Sequence, residues 1–172
     1  GLAWGNFMPW DRLRDQTRWG LAAAHTQSLP GGLGLSLNLN RVSDDNYWKD
    51  FTRDTTSLTT RLLANDANLT WSQGNFSAAA RALYWQTLQD PGAPIIPPYD
   101  RMPQLTGRYA GSPGAGLDFS VDLDYTRFQA NQALTGQPNA QRTLSLAQLS
   151  RPWTLPGAFI TPKVQLHAAN YL

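Results

Sequence analysis

Apolar and polar residues alternate strictly over residues 117–126, which read Leu-Asp-Phe-Ser-Val-Asp-Leu-Asp-Tyr-Thr. Because successive side chains of a β-strand point to opposite faces, this stretch predicts a strand with one apolar and one polar face. Residues 33–42 begin with the same alternation, with leucine at positions 33, 35, 37 and 39. In a soluble sandwich such an apolar face packs on a second sheet, whereas in an outer-membrane barrel it faces lipid.

The same pattern, followed along the chain, predicts eight strands in up-and-down order. We expect residues 1–13 to be irregular, and the facing of residues 143–150 is left open by their pattern. The predicted strands are 14–27, 33–42, 58–71, 76–85, 103–109, 117–126, 143–150 and 162–172.

The predicted connections alternate between short turns and long polar loops. This asymmetry is typical of outer-membrane barrels and is not expected of a Greek-key sandwich. We therefore predict an all-β fold, an antiparallel up-and-down transmembrane β-barrel segment, with residues 1–172 as part of one barrel domain. The short turns are 28–31, 72–74, 111–114 and 152–157, and the long loops are 43–57, 86–102 and 129–140.

Composition narrows the possible chemistry. The chain has no cysteine, only two histidines and a net charge of +2. It therefore predicts no disulfide, no transition-metal site and no nucleic-acid partner. No catalytic motif is present, so we expect neither an enzyme nor a cofactor. Aromatic residues near strand ends suit a membrane-interface belt: Trp19, Trp71, Tyr84, Trp85, Tyr109 and Tyr125.

Alternation assigns candidate residues to the two sides of the predicted wall. The acidic strip on the polar side could repel anionic lipid or bind divalent cations, but a wetted wall balanced by arginines, among them Arg61 and Arg127, is the favoured interpretation. The lumen-facing candidates are Asn38, Asn40, Arg81, Arg108, Asp118, Asp122 and Asp124. The lipid-facing candidates are Leu33, Leu35, Leu37, Leu39, Leu117, Phe119, Val121 and Leu123.

The first long loop carries an acidic cluster. Such carboxylates could bridge to lipid through divalent cations, but aspartate is also common in solvated turns because it bonds its own backbone. Lys49 and Arg53 in the same loop argue against a calcium cage, and the solvated turn is favoured. The cluster consists of Asp44, Asp45, Asp50 and Asp54.

Several strings, in chain order, resemble one family. Residues 40–51, Asn-Arg-Val-Ser-Asp-Asp-Asn-Tyr-Trp-Lys-Asp-Phe, are similar to the strand-to-loop signature of the lipopolysaccharide-assembly proteins of the LptD family, also called organic solvent tolerance proteins. Residues 9–12, 18–19, 102–105 and 157–163 resemble further segments of that family.

The resemblance implies a larger barrel of about two dozen strands in the cell outer membrane, to which this chain contributes the early-middle third. It implies a translocon that places lipopolysaccharide in the outer leaflet without covalent chemistry. The implied partners are lipopolysaccharide, outer-membrane lipid, the lipoprotein LptE inside the barrel, and a periplasmic Lpt bridge that docks through an N-terminal domain.

Two alternatives remain open at this stage. A complete small eight-stranded barrel, structural or porin-like, predicts that residues 14–27 pair with residues 162–172. A soluble β-sandwich binding module predicts that the leucines of residues 33–39 are buried by another sheet.

Overall fold

The computed structural model describes residues 1–51 and 61–172, and within them nine strands form one antiparallel sheet. Neighbours in the sheet follow chain order from β1 to β8, and β11 then pairs with β8. The strands are β1 Leu2–Asp11, β2 Gln16–Leu29, β3 Leu33–Val42, β4 Leu62–Gln73, β5 Phe76–Thr87, β6 Asp100–Gly114, β7 Leu117–Gln129, β8 Ala140–Ser150, β9 Trp153–Leu155, β10 Ala158–Ile160 and β11 Lys163–Tyr171. Two short helices, α1 Tyr47–Phe51 and α2 Gln132–Thr135, lie in loops.

The prediction that residues 1–13 are irregular is wrong. They form β1, which pairs with β2 from Leu2 opposite Ala24 to Asp11 opposite Gln16. Leu2, Trp4 and Met8 point to one side and Ala3 and Phe7 to the other, so both faces carry apolar residues. A strand of this kind has no alternation to detect. The sheet therefore has nine strands rather than eight.

Two further elements differ from expectation. The strand predicted at 103–109 extends over the whole of β6, because register shifts at residues 101–104 and 111–114 accommodate its prolines and glycines within the ladder. The turn predicted at 152–157 lies inside a longer connection, residues 151–162, which contains the separate hairpin β9–β10. Strands of three residues are too short to show periodicity.

The connections define two ends of the sheet. The long-loop end carries residues 43–51, 88–99 and 130–139, together with the short turn at 12–15. The short-turn end carries the 3₁₀ turn Pro30–Gly32, residues 74–75 and 115–116, and the connection 151–162. The predicted alternation thus holds from β2 to β8 and fails at both margins.

Register shows that the two candidate sets occupy opposite faces. Residues that are directly paired across an antiparallel ladder share a face. One row of directly paired residues runs across the sheet from Leu35 through Leu69, Ala80 and Leu105 to Tyr125, and Leu123 lies on the same face. We call this the apolar face. The next row runs through Asn68, Arg81, Gln104 and Thr126, on the face of Asp124, and we call it the polar face.

Aromatic side chains bound the apolar face at both ends. Near the short-turn end, the rings of Phe76 and Tyr109 lie 4.8 Å apart and those of Tyr109 and Phe119 lie 6.2 Å apart. About 20–26 Å of strand separates this row from the row at the long-loop end. The turn-end row is Trp71, Phe76, Tyr109 and Phe119, and the loop-end row is Trp19, Tyr84 and Tyr125. Trp85, which the sequence pattern grouped with them, pairs with Ala64 and lies on the polar face.

Neither alternative architecture agrees with this topology. Among the described residues, the substantial contacts between strands of the sheet all join hydrogen-bonded neighbours, so no second layer covers the apolar face. Leu39 and Leu123 are 39% and 53% exposed. β2 pairs with β1 and β3 rather than with β11, so the eight-stranded closure is absent. No helix in the described parts of the chain is long and apolar enough to cross a membrane.

Candidate functional site

The polar face pairs its acidic residues with arginines from neighbouring strands. Arg81 on β5 donates to Asp66 on β4, with its Nε 3.0 Å from Oδ1. Arg108 lies directly opposite Asp122 and donates to it at 2.9 Å. The third pair, Arg142 and Asp124, joins β8 to β7 at 3.3 Å. Candidate lumen residues 81, 108, 122 and 124 are thus brought into a ladder of ion pairs.

These pairs support the favoured interpretation of the acidic strip as a balanced, wetted wall. The side chains of Arg108 and Asp122 are 56% and 35% exposed, so each such pair contributes only about 0–1 kcal/mol. Asp118 accepts a hydrogen bond from the Ser112 hydroxyl at 2.6 Å. Of the other two arginines considered as partners, Arg61 donates to loop carbonyls at Leu88 and Ala93, and Arg127 lies on the apolar face.

The polar face carries several cavities. One of about 640 Å³ is lined by Thr70, Ala79, Thr106, Leu144, Leu146 and His167. A second, of about 700 Å³, is lined by Arg108, Ser112, Asp118, Ser120 and Gln148, among others. Register settles the facing of β8, because Leu144 and Leu146 lie opposite Asp124 and Asp122. The first cavity therefore combines apolar side chains, Ala79, Leu144 and Leu146, with the charged pair of Arg108 and Asp122.

The most deeply buried charged group among the described residues is the guanidinium of Arg18, at the long-loop end of β2. Its side chain is 0% exposed. It forms a bidentate pair with Asp44, with Nε–Oδ2 and Nη2–Oδ1 distances of 2.9 Å each. Its Nη1 donates to Asp11 at 3.0 Å and to Asp50 at 2.6 Å. A buried arginine with three carboxylate partners joins two connections that are far apart in sequence.

Aromatic rings complete this Arg18 cluster. The guanidinium carbon lies 4.7 Å from the ring centre of Phe51 and 5.7 Å from that of Tyr47. The two rings stack on each other at 4.6 Å. Planar guanidinium groups stack favourably on aromatic faces. Helix α1 therefore folds back over the strand that carries Arg18.

Of the predicted acidic loop cluster, the structure brings only Asp44 and Asp50 together, both around Arg18. Asp45 is exposed, and Asp54 lies outside the described residues. The two paired carboxylates are counter-ions of a buried arginine, which neither the cation-bridge nor the solvated-turn interpretation anticipated. Burial of Asp44 opposes its ionisation, but hydrogen bonds from Arg18 and the Ser43 hydroxyl outweigh burial and hold the pKa of Asp44 below its usual value.

The first long loop turns inward, over the polar face. A Cβ added to Gly20 would lie 2.6 Å from the Tyr47 hydroxyl and 2.8 Å from the ring carbon that bears it. Gly20 pairs with Val42 and shares the face of Asn40, so Tyr47 must lie on that side of the sheet. Tyr47 is only 5% exposed. Residues 43–51 of the loop thus cover part of the polar face rather than extending into solvent.

Further polar contacts connect the long loops to one another. Lys49 donates to Asp90 at 2.5 Å, which joins the first and second long loops. The Tyr99 hydroxyl donates to the carbonyl of Pro138 at 3.2 Å, which joins the second and third. Where backbone pairing of β3 with β4 stops at Asn38, the Gln86 side-chain amide bonds both the N–H and the C=O of Val42. The loops therefore form a connected cap.

Replacing Gly20 with alanine is expected to loosen this cap. The Tyr47 ring, held between Arg18 and Phe51, would have to shift, and overpacking of this kind costs about 1–3 kcal/mol. The rate of trypsin cleavage after Lys49 in the full-length protein measures how far the cap has loosened. Gly107→Ala is the matched control, because a Cβ there meets nothing within 4 Å. Equal cleavage of the two variants would contradict the inward placement of Tyr47.

Acid is expected to release the loop only at low pH. Because the pKa of Asp44 is lowered in the folded loop, its pairing with Arg18 stabilises the loop fully above the ordinary aspartate pKa of about 3.9 and is lost as pH falls through the lower folded value. A spin label at position 45 should stay immobile from neutral pH down to about 4 and become mobile below it. In Asp44→Asn the label should be mobile throughout. A transition near neutral pH would contradict this assignment.

Comparison with known proteins identifies the family. The sequence model of LptD, described as LPS transport system D, matches residues 16–172. The chain belongs to the LptD family. It is 60% identical over 176 residues to the LPS-assembly protein LptD of Albidiferax ferrireducens, covering 96% of this chain and 22% of that protein. The LptD proteins of Polaromonas sp. and Acidovorax sp. are each 51% identical, again over 96% of this chain. The chain spans about a fifth of the length of these relatives, 22% in each case.

Sequence reasoning about this LptD chain missed its most buried contacts. Arg18 was not a candidate, although it stands in one of the strings that resemble the family. Its carboxylate partners lie 7, 26 and 32 residues away, and no periodic pattern links them. Arg142 was also missed, because β8 carries leucines on both faces.

Proposed function

We propose that this LptD chain forms part of the wall of an outer-membrane barrel that assembles lipopolysaccharide into the outer leaflet. In this proposal residues 1–172 belong to the barrel domain, with the apolar face toward lipid acyl chains. The polar face lines a hydrated lumen and the long loops lie at the cell surface. The chain contributes a passage and no covalent chemistry.

One observation carries the proposal: the described residues form a single-layer sheet with an apolar face, bounded by aromatic rows, that no other described element covers. An outward apolar band between aromatic girdles, backed by a polar interior, is the pattern of outer-membrane barrels. Long loops at one end and short turns at the other are consistent with the proposed orientation.

The free edges of the sheet agree with a larger barrel. Within the described residues, β1 pairs only with β2 and β11 only with β8. Backbone groups in a bilayer must be paired, so an open edge there is costly. We propose that further strands of the full-length protein complete the wall on both sides, as the relatives' greater length allows.

The partners follow from the family and remain part of the proposal. Lipopolysaccharide would pass along the polar face, and a lipoprotein of the LptE type would occupy the lumen. A periplasmic Lpt bridge would deliver the lipid through an N-terminal domain. The apolar patch of Ala79, Leu144 and Leu146 offers the lumen side a surface that is not wholly hydrophilic.

Photo-crosslinking from neighbouring residues tests this proposal. Ala79 lines the cavity on the polar face, and Ala80 lies on the apolar face opposite Leu69. With p-benzoylphenylalanine at position 79 of the full-length protein in cells, we expect adducts with lipopolysaccharide or the lumen lipoprotein. At position 80 we expect adducts with membrane lipid and none with the lumen lipoprotein. An intramolecular crosslink from position 80 to a second layer of the same chain would contradict the proposal.

A further inference from the structure

In the described strands two arginines lie on the apolar face, and their environment differs from that of the paired arginines Arg81, Arg108 and Arg142 on the polar face. Arg41 continues the row of Leu37 and Leu39 and lies opposite Leu21. Arg127 continues the row of Leu123 and Tyr125 and lies opposite Gln141. Both side chains are exposed. Within residues 1–51 and 61–172, neither makes an ion pair or a side-chain hydrogen bond.

The contrast with the polar face is one of charge compensation. There, Arg81, Arg108 and Arg142 each have an aspartate partner. Arg101, opposite Phe128 at the long-loop end of the polar face, is the exception and makes no ion pair among the described residues. The strand carboxylate nearest to Arg127 by register is Asp100, which is opposite Gln129 and accepts a hydrogen bond from the Trp85 backbone N–H at 2.7 Å. The two guanidinium groups on the apolar face therefore lack a counter-ion in the part of the chain that the structure describes.

Both arginines lie at the long-loop end, close to the loop-end aromatic row. Arg127 stands two residues beyond Tyr125, and Arg41, opposite Leu21, stands two residues short of the level of Trp19. Two residues of strand correspond to about 7 Å, a distance that a long arginine side chain spans to reach the end of the apolar band. If the apolar face contacts acyl chains, this is the level of the lipid headgroups.

We propose that Arg41 and Arg127 bind the phosphate groups of anionic lipids in the leaflet at the long-loop end. This inference rests on the proposed membrane orientation. Guanidinium groups bind phosphate through two parallel hydrogen bonds, and the leucines beneath each arginine would contact the acyl chains of the same lipid. β3 and β7 are four strands apart, about 19 Å, so the two arginines form separate sites for separate lipid molecules.

Native mass spectrometry of the full-length protein tests the sites. The protein is reconstituted in phosphatidylcholine vesicles with phosphatidylglycerol and then extracted, and the retained phosphatidylglycerol is counted. Arg41→Gln and Arg127→Gln should each weaken the affinity of one site for phosphatidylglycerol about five-fold, so that each variant retains one lipid fewer. The double variant should retain two fewer. Lysine at either position should preserve most of the binding, because the charge remains.

Arg101→Gln is the matched control, since Arg101 lies at the long-loop end of the polar face, has no ion pair among the described residues and should leave retention unchanged. The inference is overturned if the double variant retains as much phosphatidylglycerol as the wild type, or if Arg101→Gln loses as much. A spin label at position 37 separates the two proposals. If oxygen dissolved in the bilayer does not relax the label, the membrane orientation fails. If oxygen does relax it and the variants keep their lipid, only the phosphate sites fail.

Discussion

Replacing Arg18 with methionine is expected to release the first long loop from the polar face. Methionine keeps much of the packing volume but leaves Asp11, Asp44 and Asp50 facing one another without the guanidinium between them. Removing one partner of a buried ion pair typically costs about 3–5 kcal/mol. The loop should open, and trypsin should cleave after Lys49 in the full-length protein under conditions where the wild type is protected.

Two further variants are compared with Arg18→Met. Arg108→Met removes an arginine from an exposed pair on the same face and should change stability by no more than about 1 kcal/mol. Arg18→Lys keeps the charge but not the bidentate geometry, so its cleavage should fall between those of the wild type and Arg18→Met. If Arg18→Met is as protected as Arg108→Met, the Arg18 cluster does not hold the loop.

Replacing Leu37 with arginine is expected to impair insertion of the protein into a membrane. Leu37 lies midway along β3 on the apolar face, between His25 on β2 and Ala67 on β4. An arginine that faces lipid at the bilayer midplane costs about 2–4 kcal/mol in barrels of this kind. Heat-modifiable migration in detergent gels and the yield of folded protein in lipid vesicles measure the loss.

Asn38→Arg is the control for this substitution. Asn38 follows Leu37 directly and lies on the polar face opposite Asp66, so an arginine there would be hydrated and close to a carboxylate. We expect nearly normal folding. Equal loss from both substitutions would indicate a general intolerance of β3 to charge, and the assignment of its two faces would be wrong.

The alternation along β3 and β7 was sufficient to predict which residues share a face. The period of two is a local property of the chain, so alternate residues lie on opposite sides. Leu35, Leu37, Val121 and Leu123 lie on one side, and Asn38, Asp122 and Asp124 lie on the other. The strand β3 itself has the predicted bounds, 33–42. Whether the apolar side meets lipid is not a local property, and it stays a prediction.

Other features depend on partners that sequence spacing does not reveal. β1 has apolar residues on both faces and is recognised only through its ladder with β2. β8 has leucines on both faces, so only its register with β7 shows that Leu144 and Leu146 join the polar side. The Arg18 cluster collects carboxylates from the turn before β2 and from the first long loop, and only the folded chain brings these segments together.

The most direct test of the account measures the environment of successive side chains along β3. Spin labels are placed one at a time at positions 35–40 of the full-length protein in lipid bilayers, and their relaxation by dissolved oxygen and by a water-soluble nickel chelate is compared. The account predicts that labels at 35, 37 and 39 respond to oxygen, and labels at 36, 38 and 40 to the nickel chelate. Nickel access at 35, 37 and 39, or immobile labels shielded from both reagents there, would contradict it.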